Sequence, residues 1–375
     1  MKNLEIERLR AFAILSIAIY HLGVSFPWVL SQKTGTQYSV DLFFVISGFV
    51  VSKTLLEQSG RAAQRAVSRR RQILAFFVRR ALRILPLATF CLVYFGIRYL
   101  NPPTTNPGFF SLVPEMVQSV LTLRFNYDLV SDGRYYPMGF FWTLMVEEHF
   151  YLLLPFALIF LKSYTKRVVA CLGLFFLTRW VFQPMTIVFS IPENIQSALI
   201  FCTHARLDQL LLGVLLYLFS KHGFHKELQD RLVAKPRWIL QAWAWLALGT
   251  LQVFPFFIET RWIQTPLPFM LLACGSLLFL SSFKKEGNWV LPLPQRANGL
   301  FEYLGSRSYG LYLWHCPVIF ELGFLEPLYP EILRSGWILI PSFLILTTIA
   351  AEISYRLIEQ PGIGWGKRLS DRILN

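Results

Sequence analysis

The chain has 375 residues, of which 54% are hydrophobic, 16% aromatic and only 15% charged, with a formal net charge of +14. A soluble domain carries about 25% charged residues, so this composition excludes an ordinary water-soluble globule and points to a chain embedded mostly in lipid. The basic excess therefore reads as cytoplasmic loops beside anionic lipid, not as a nucleic-acid surface.

Apolar runs of about 20 residues mark membrane spans. Ten are predicted, near 10–30, 37–56, 84–100, 141–161, 168–190, 194–220, 238–258, 263–283, 303–324 and 337–358. With the N-terminus inside, the outer loops hold only Lys33, Arg124, Arg134, Arg261 and Arg334, while the remaining loop Lys and Arg fall on the cytoplasmic side. That asymmetry predicts an all-α polytopic bundle with both termini cytoplasmic. No cleavable signal peptide is expected, because Met1 to Arg10 is charged and the apolar run beyond it outlasts an h-region. The chain reads as a single membrane domain over 1–375 without an appended soluble domain.

In the first span Arg10 and His21 are eleven residues apart, three turns plus about 20°, so they share one face roughly 16 Å apart along the axis. A histidine there suits a general base, since its ordinary pKa near 6.5 permits taking a proton from a hydroxyl at neutral pH. A core histidine bonded to a neighbouring helix is the plainer reading of the same residue. An ionisable group at the centre of a membrane helix costs about 2.5–3.5 kcal/mol on insertion scales, so several together imply a buried polar site. The basic connection 57–83 follows the second span and is expected to end in a surface amphipathic helix over 72–78. Arg80 and Arg83, at i and i+3, present two guanidinium forks suited to phosphate, although a basic flank alone would look the same.

The segment 101–139, with Pro102, Pro103, Pro107, Pro114 and Pro137, reads as an ordered extracytoplasmic loop. Glu147-Glu148-His149 then lies in the fourth span, with Arg206 or Arg179 as the partner if the acids serve only as interhelical glue. His204, Arg206 and Asp208 fall in the middle of the sixth span, where packing and positioning are favoured over direct catalysis. His315 lies in the ninth span, with Tyr309 and Tyr312 on its face and Cys316 beside it. The cysteines, at 91, 171, 202, 274 and 316, follow no CxxC and no metal-ligand spacing, so neither a disulfide framework nor a metal site is expected. No Walker loop, GxGxxG, GxSxG or HExxH is present.

Seven segments in order resemble the acyltransferase 3 family of integral membrane acyltransferases, from Glu5 to Pro361. They are Arg8-Leu9-Arg10-Ala11 with His21, the run Val40 to Phe49 that includes Asp41, and Arg80-Ala81-Leu82-Arg83-Ile84-Leu85-Pro86. Then come Phe141 to Tyr151, Arg206-Leu207-Asp208 ahead of Gly213, Ser308 to His315, and Glu359-Gln360-Pro361. The resemblance implies a ten-helix bundle that takes an acyl group, acetyl first among the candidates, from cytoplasmic acyl-CoA. The acceptor is then a hydroxyl of a carbohydrate across the membrane. It puts the functional arginine–histidine pair on Arg10 and His21, and the paired arginines on Arg80 and Arg83.

On that expectation His21, Glu147 and Glu148 are catalytic, and Arg10, Arg80 and Arg83 hold the CoA phosphates. Asp41, Arg206, Asp208, Tyr309 and His315 position substrate. Acyl-CoA is a co-substrate, with no permanently bound cofactor. The partners are the donor, a glycan acceptor and membrane lipid, in the cytoplasmic (inner) membrane. Ala11 stands where the family favours glycine and His149 where it favours glutamine. Direct transfer and an acyl-histidine route both fit, as do several acceptors and acyl chain lengths. A proton-coupled transporter relaying through the intramembrane His and Glu residues is the rival, and it would show inverted repeats.

Overall fold

Every regular element among the described residues is helical; the computed structural model describes residues 3–28, 39–100, 113–132, 138–190, 195–257, 267–281 and 294–375. In chain order these are α1 (Leu4–Ser25), α2 (Ser39–Gln64), α3 (Arg69–Leu100), α4 (Val113–Leu121), α5 (Phe125–Asp132) and α6 (Trp142–Pro155). They continue as α7 (Tyr164–Leu177), α8 (Gln183–Phe189), α9 (Ile195–Phe201), α10 (Leu207–Phe219), α11 (Gly223–Val233) and α12 (Arg237–Phe257). The last six are α13 (Leu267–Ser281), α14 (Gln295–Ser306), α15 (Ser308–Leu325), α16 (Pro330–Leu333), α17 (Gly336–Ser354) and α18 (Gln360–Leu374). Short π-helical segments at Phe156–Phe160, Thr178–Phe182 and Tyr355–Glu359 carry α6 onward, join α7 to α8, and join α17 to α18.

Five continuous helical stretches among the described residues are long and apolar enough to cross a bilayer: Leu4–Ser25, Ser39–Gln64, Gly139–Phe160, Tyr164–Phe189 and Gly336–Leu374. Little of the most apolar stretch of Tyr164–Phe189 or of Gly336–Leu374 is buried, and Phe176, Val188, Ile345 and Ile349 are among its exposed apolar side chains. Surface of that kind is stable against hydrocarbon and not against water.

Two sequence expectations change. The connection 57–83 is not a long loop with a separate surface helix: α2 runs through Gln64 and α3 starts at Arg69, so 72–78 are early turns of a 32-residue helix. Charged residues can still be helical when they lie beyond the membrane face, and the positive charge alone does not reveal this. The expected sixth span, 194–220, is not one helix. It stops at Phe201, passes through extended Cys202 and a 3-10 turn at Thr203–Ala205, and resumes at Leu207. Within 101–139, α4 and α5 are ordered helices; Pro102, Pro103, Pro107 and Pro137 lie outside the described residues, as do Lys33, Arg134 and Arg261.

Contacts gather the chain into two compact units. The first is drawn from Met1–Lys53, Val168–Leu177 and Asp208–Ser308. Its α1 begins at Asn3, whose side-chain oxygen accepts from the Glu5 amide at 3.0 Å and the Ile6 amide at 3.4 Å. Glu5 and Glu7 in the first turn suit the positive end of the helix dipole. α1 crosses α14 where Gly305 sits on the Glu7 carbonyl, a place where an added Cβ would collide. The crossing is fastened by Arg8, which donates through Nε to Glu302 at 3.0 Å and through Nη1 to Glu5 at 3.0 Å. Glu302→Ala should therefore lower stability by about 1–3 kcal/mol, read as a lower melting temperature in detergent, because the buried guanidinium loses one of two carboxylates. A second crossing joins α2 to α10: Gly48 lies against the Leu210 carbonyl, and Gly213 against the backbone of Val45 and Phe49.

The second unit is drawn from Thr54–Arg167, Thr178–Leu207 and Tyr309–Asn375. Here α18 packs along α3, with Gly362 on the Leu82 carbonyl and Gly366 beside Leu82 and Arg79. Small residues four apart let two helix backbones approach closely. α3 is also tied to α15 by Glu321, which accepts from Arg98 Nε at 2.7 Å and from the Tyr94 hydroxyl at 2.8 Å. α15 reaches α17 through Trp314 Nε1, donating to Ser354 Oγ at 3.1 Å.

Candidate functional site

Within the second unit, three helices bring several sequence-predicted residues together. α3 supplies Arg80, whose guanidinium lies over the Tyr151 ring of α6 at 5.2 Å and over Phe76 at 5.8 Å. Arg80 is within electrostatic reach of Glu147 and Glu148, and of Arg83 one turn on. α15 supplies Tyr309, whose hydroxyl donates to the Ile84 carbonyl at 2.7 Å and which also feels Glu147, Glu148 and Glu359. A cation thus rests on aromatic faces within the field of two carboxylates. Cation–π attraction contributes about 0.5–2 kcal/mol, and opposite charges add to it in a water-poor setting.

Glu147 and Glu148 are about 100° apart on α6, and both lie within electrostatic range of Arg80, which rests on Tyr151 at i+4 and i+3 from them. Sequence reasoning passed over Tyr151, although its spacing from the two acids was visible. The expected glue partners are engaged elsewhere as well: Arg179 donates to Gln183 at 2.9 Å, and the Arg206 guanidinium lies 5.7 Å over Trp142. Arg80 is a cation within electrostatic range of both acids.

Tyr312 and His315 lie along another part of α6's surroundings. The Tyr312 hydroxyl donates to the Phe140 carbonyl at 2.8 Å and accepts from Thr143 at 2.8 Å. His315 is fully buried, 5.3 Å from the Tyr312 ring and 5.9 Å from Phe140. Its Nδ1 faces the Tyr312 carbonyl at 2.5 Å, so that nitrogen carries the proton and Nε2 offers its lone pair to the Cys316 thiol at 3.3 Å.

The break after α9 gathers a polar network that the sequence did not announce. Asn126 of α5 donates to the Phe201 carbonyl at 3.0 Å and to Thr203 Oγ1 at 2.9 Å. Gln183 donates to the Ala205 carbonyl at 2.8 Å. His149 Nδ1 meets Thr203 Oγ1 at 2.7 Å. Thr186 spends its proton on the Phe182 carbonyl at 2.7 Å, so His204 Nε2 must be the donor in its 2.9 Å contact with Thr186. His204 Nδ1 is then left to face the Tyr127 hydroxyl at 3.2 Å. His204 and Arg206 thus belong to an interruption, not to the middle of a helix, and Asp208 opens the helix that follows.

In the first unit Arg10 and His21 share α1 as expected. Arg10 is engaged by Glu7 at 3.2 Å, and half-buried His21 has its Nδ1 3.1 Å from the Ile17 carbonyl. Asp41 begins α2 and Asp208 begins α10, and both are fully buried.

A family model described as an acyltransferase domain matches residues 3–356. O-acetyltransferase OatA of Staphylococcus aureus strain NCTC 8325 is 28% identical over 374 residues, an alignment covering 95% of this chain and 56% of the relative. The OatA of strain COL matches to the same extent. The chain therefore spans about half the length of the curated relatives it matches. No solved structure matches it.

Proposed function

The chain belongs to the acyltransferase family whose domain spans residues 3–356, and from that premise we propose that it is a membrane O-acyltransferase. The donor is acyl-CoA, acetyl-CoA first, reaching the protein from the cytoplasm. The acceptor is a hydroxyl of a carbohydrate on the far side, and the protein crosses the cytoplasmic membrane ten times with both termini inside. The observation that supports this best is the grouping of Arg80 with Glu147, Glu148, Tyr151 and Tyr309, a charged cluster whose cost in a membrane protein calls for a chemical use.

In this reading the acceptor oxygen attacks the thioester carbonyl, the C–S bond breaks and coenzyme A leaves as the thiol. His21 takes the hydroxyl proton and returns it to the departing sulfur. Arg10, Arg80 and Arg83 attract the donor's phosphates, and Glu147 or Glu148 accepts a hydrogen bond from the acceptor. Asp41, Arg206, Asp208, Tyr309 and His315 hold substrate and neighbours in place. Oxyanion stabilisation by a positive group such as Arg206 completes the step.

The test compares surface glycans by mass spectrometry from cells with and without the gene. Loss of an acyl mass from one glycan identifies donor and acceptor together, and an unchanged glycan profile removes the reading. His21→Ala should cut transfer by about 10²–10⁴ while accumulating normally in the membrane. Full acylation by that variant would remove His21 as the base.

A further inference from the structure

Where α2 turns into α3, a cavity of about 790 Å³ is lined by Arg65, Ala66, Val67, Ser68, Arg71, Leu374 and Asn375. Two guanidinium ions, those of Arg65 and Arg71, line it, and no Asp or Glu side chain is among the lining residues. Arg61, Arg69 and Arg70, near these arginines in the sequence, are exposed but line no part of it.

The loop that carries the arginines is held from behind. Gln72, itself buried, donates to the Val67 carbonyl at 2.8 Å and accepts from Ser59 at 2.7 Å. Ala66 takes a left-handed φ of 56°, and the Val67 amide closes the end of α2 on the Ala62 carbonyl at 3.0 Å. Arg65 is steadied by Asn375, donating to its side-chain oxygen at 3.2 Å. Fixing the loop reduces the entropy cost of converging two long cationic side chains on one guest.

The geometry points to a phosphate-binding site formed by Arg65 and Arg71 in this cavity. A phosphate offers several strong acceptor oxygens, and guanidinium forks bind them in pairs. The site is distinct from the residues of the acyl-transfer reading, since none of Arg10, Arg80 and Arg83 lines this cavity. An anionic lipid headgroup and a free phosphorylated solute share that chemistry, and the experiment below separates them.

The purified full chain is titrated in neutral detergent with inorganic pyrophosphate, and in parallel reconstituted in nanodiscs of phosphatidylcholine with and without phosphatidylglycerol. The readouts are calorimetry for the first and melting temperature for the second. The Arg65→Gln/Arg71→Gln pair should weaken one of the two responses by about tenfold or more. The Arg61→Gln/Arg70→Gln pair, which removes equal charge from outside the cavity, should change it by less than about threefold. Loss confined to pyrophosphate assigns a soluble ligand, and loss confined to phosphatidylglycerol assigns a lipid. Equal weakening by both pairs would reduce the site to diffuse attraction, and no weakening by the cavity pair would remove it. Should the double variant fail to fold, Arg65→Gln and Arg71→Gln are measured singly against the same criteria.

Discussion

Arg80→Ala should abolish most acyl transfer, by about 10²–10³ in turnover, measured with radiolabelled acetyl-CoA in membranes. Glu147 and Glu148 are adjacent on α6 and both lie in the field of Arg80, so removing it takes a positive charge away from two neighbouring carboxylates in a water-poor place. Lysine in the same position keeps the charge but not the flat guanidinium that rests on Tyr151, and it should recover only part of the rate. A purely structural role is separable from a chemical one. Transfer per folded molecule should fall in Arg80→Ala even well below that variant's melting temperature. An unchanged rate per folded molecule would show that Arg80 only keeps the helices together.

Gly213→Leu should prevent accumulation of folded protein. A Cβ at 213 would strike the Val45 carbonyl and lie 2.7 Å from the Phe49 amide nitrogen, and neither backbone group can move without displacing α2. The expected destabilisation exceeds about 3 kcal/mol, above the usual range for core overpacking, because backbone cannot choose another rotamer. Gly173→Leu is the matched control: nothing lies within 4 Å of its Cβ position, so the variant should reach near-normal levels. Membrane immunoblots with detergent-resistant gel filtration read both outcomes. Equal accumulation of the two variants would show that the α2–α10 crossing is not tight.

Much of the helical framework was legible because hydrophobic length is a local property: α1, α6 and α17 coincide with apolar runs that announce them. The charged cluster on α6 was legible for a related reason, since two acids in an apolar helix stand out at once. Its proximity to Arg80 was not. Spacing and resemblance single out Arg80 with Arg83, but for phosphate, and nothing in the sequence sets it near the two acids of α6. The interruption at Cys202–Arg206 was invisible, because no proline or glycine occurs there. It is made by partners far along the chain, Asn126 and Gln183, which offer the backbone carbonyls an alternative to helical pairing. The glycines at 48 and 213 likewise reveal their purpose only as a pair.

The way that interruption is sealed bears on how these proteins can be recombined. Asn126 reaches the stretch from an element some seventy residues earlier, so exchanging 113–132 for a homologous stretch would strand the Phe201 carbonyl and leave the Thr203 hydroxyl to His149 unless a matching amide came with it. The two stretches form one transferable cassette, together with Gln183, and a chimera that altered acceptor preference by grafting only the first would confuse a broken seam with a changed taste for substrate.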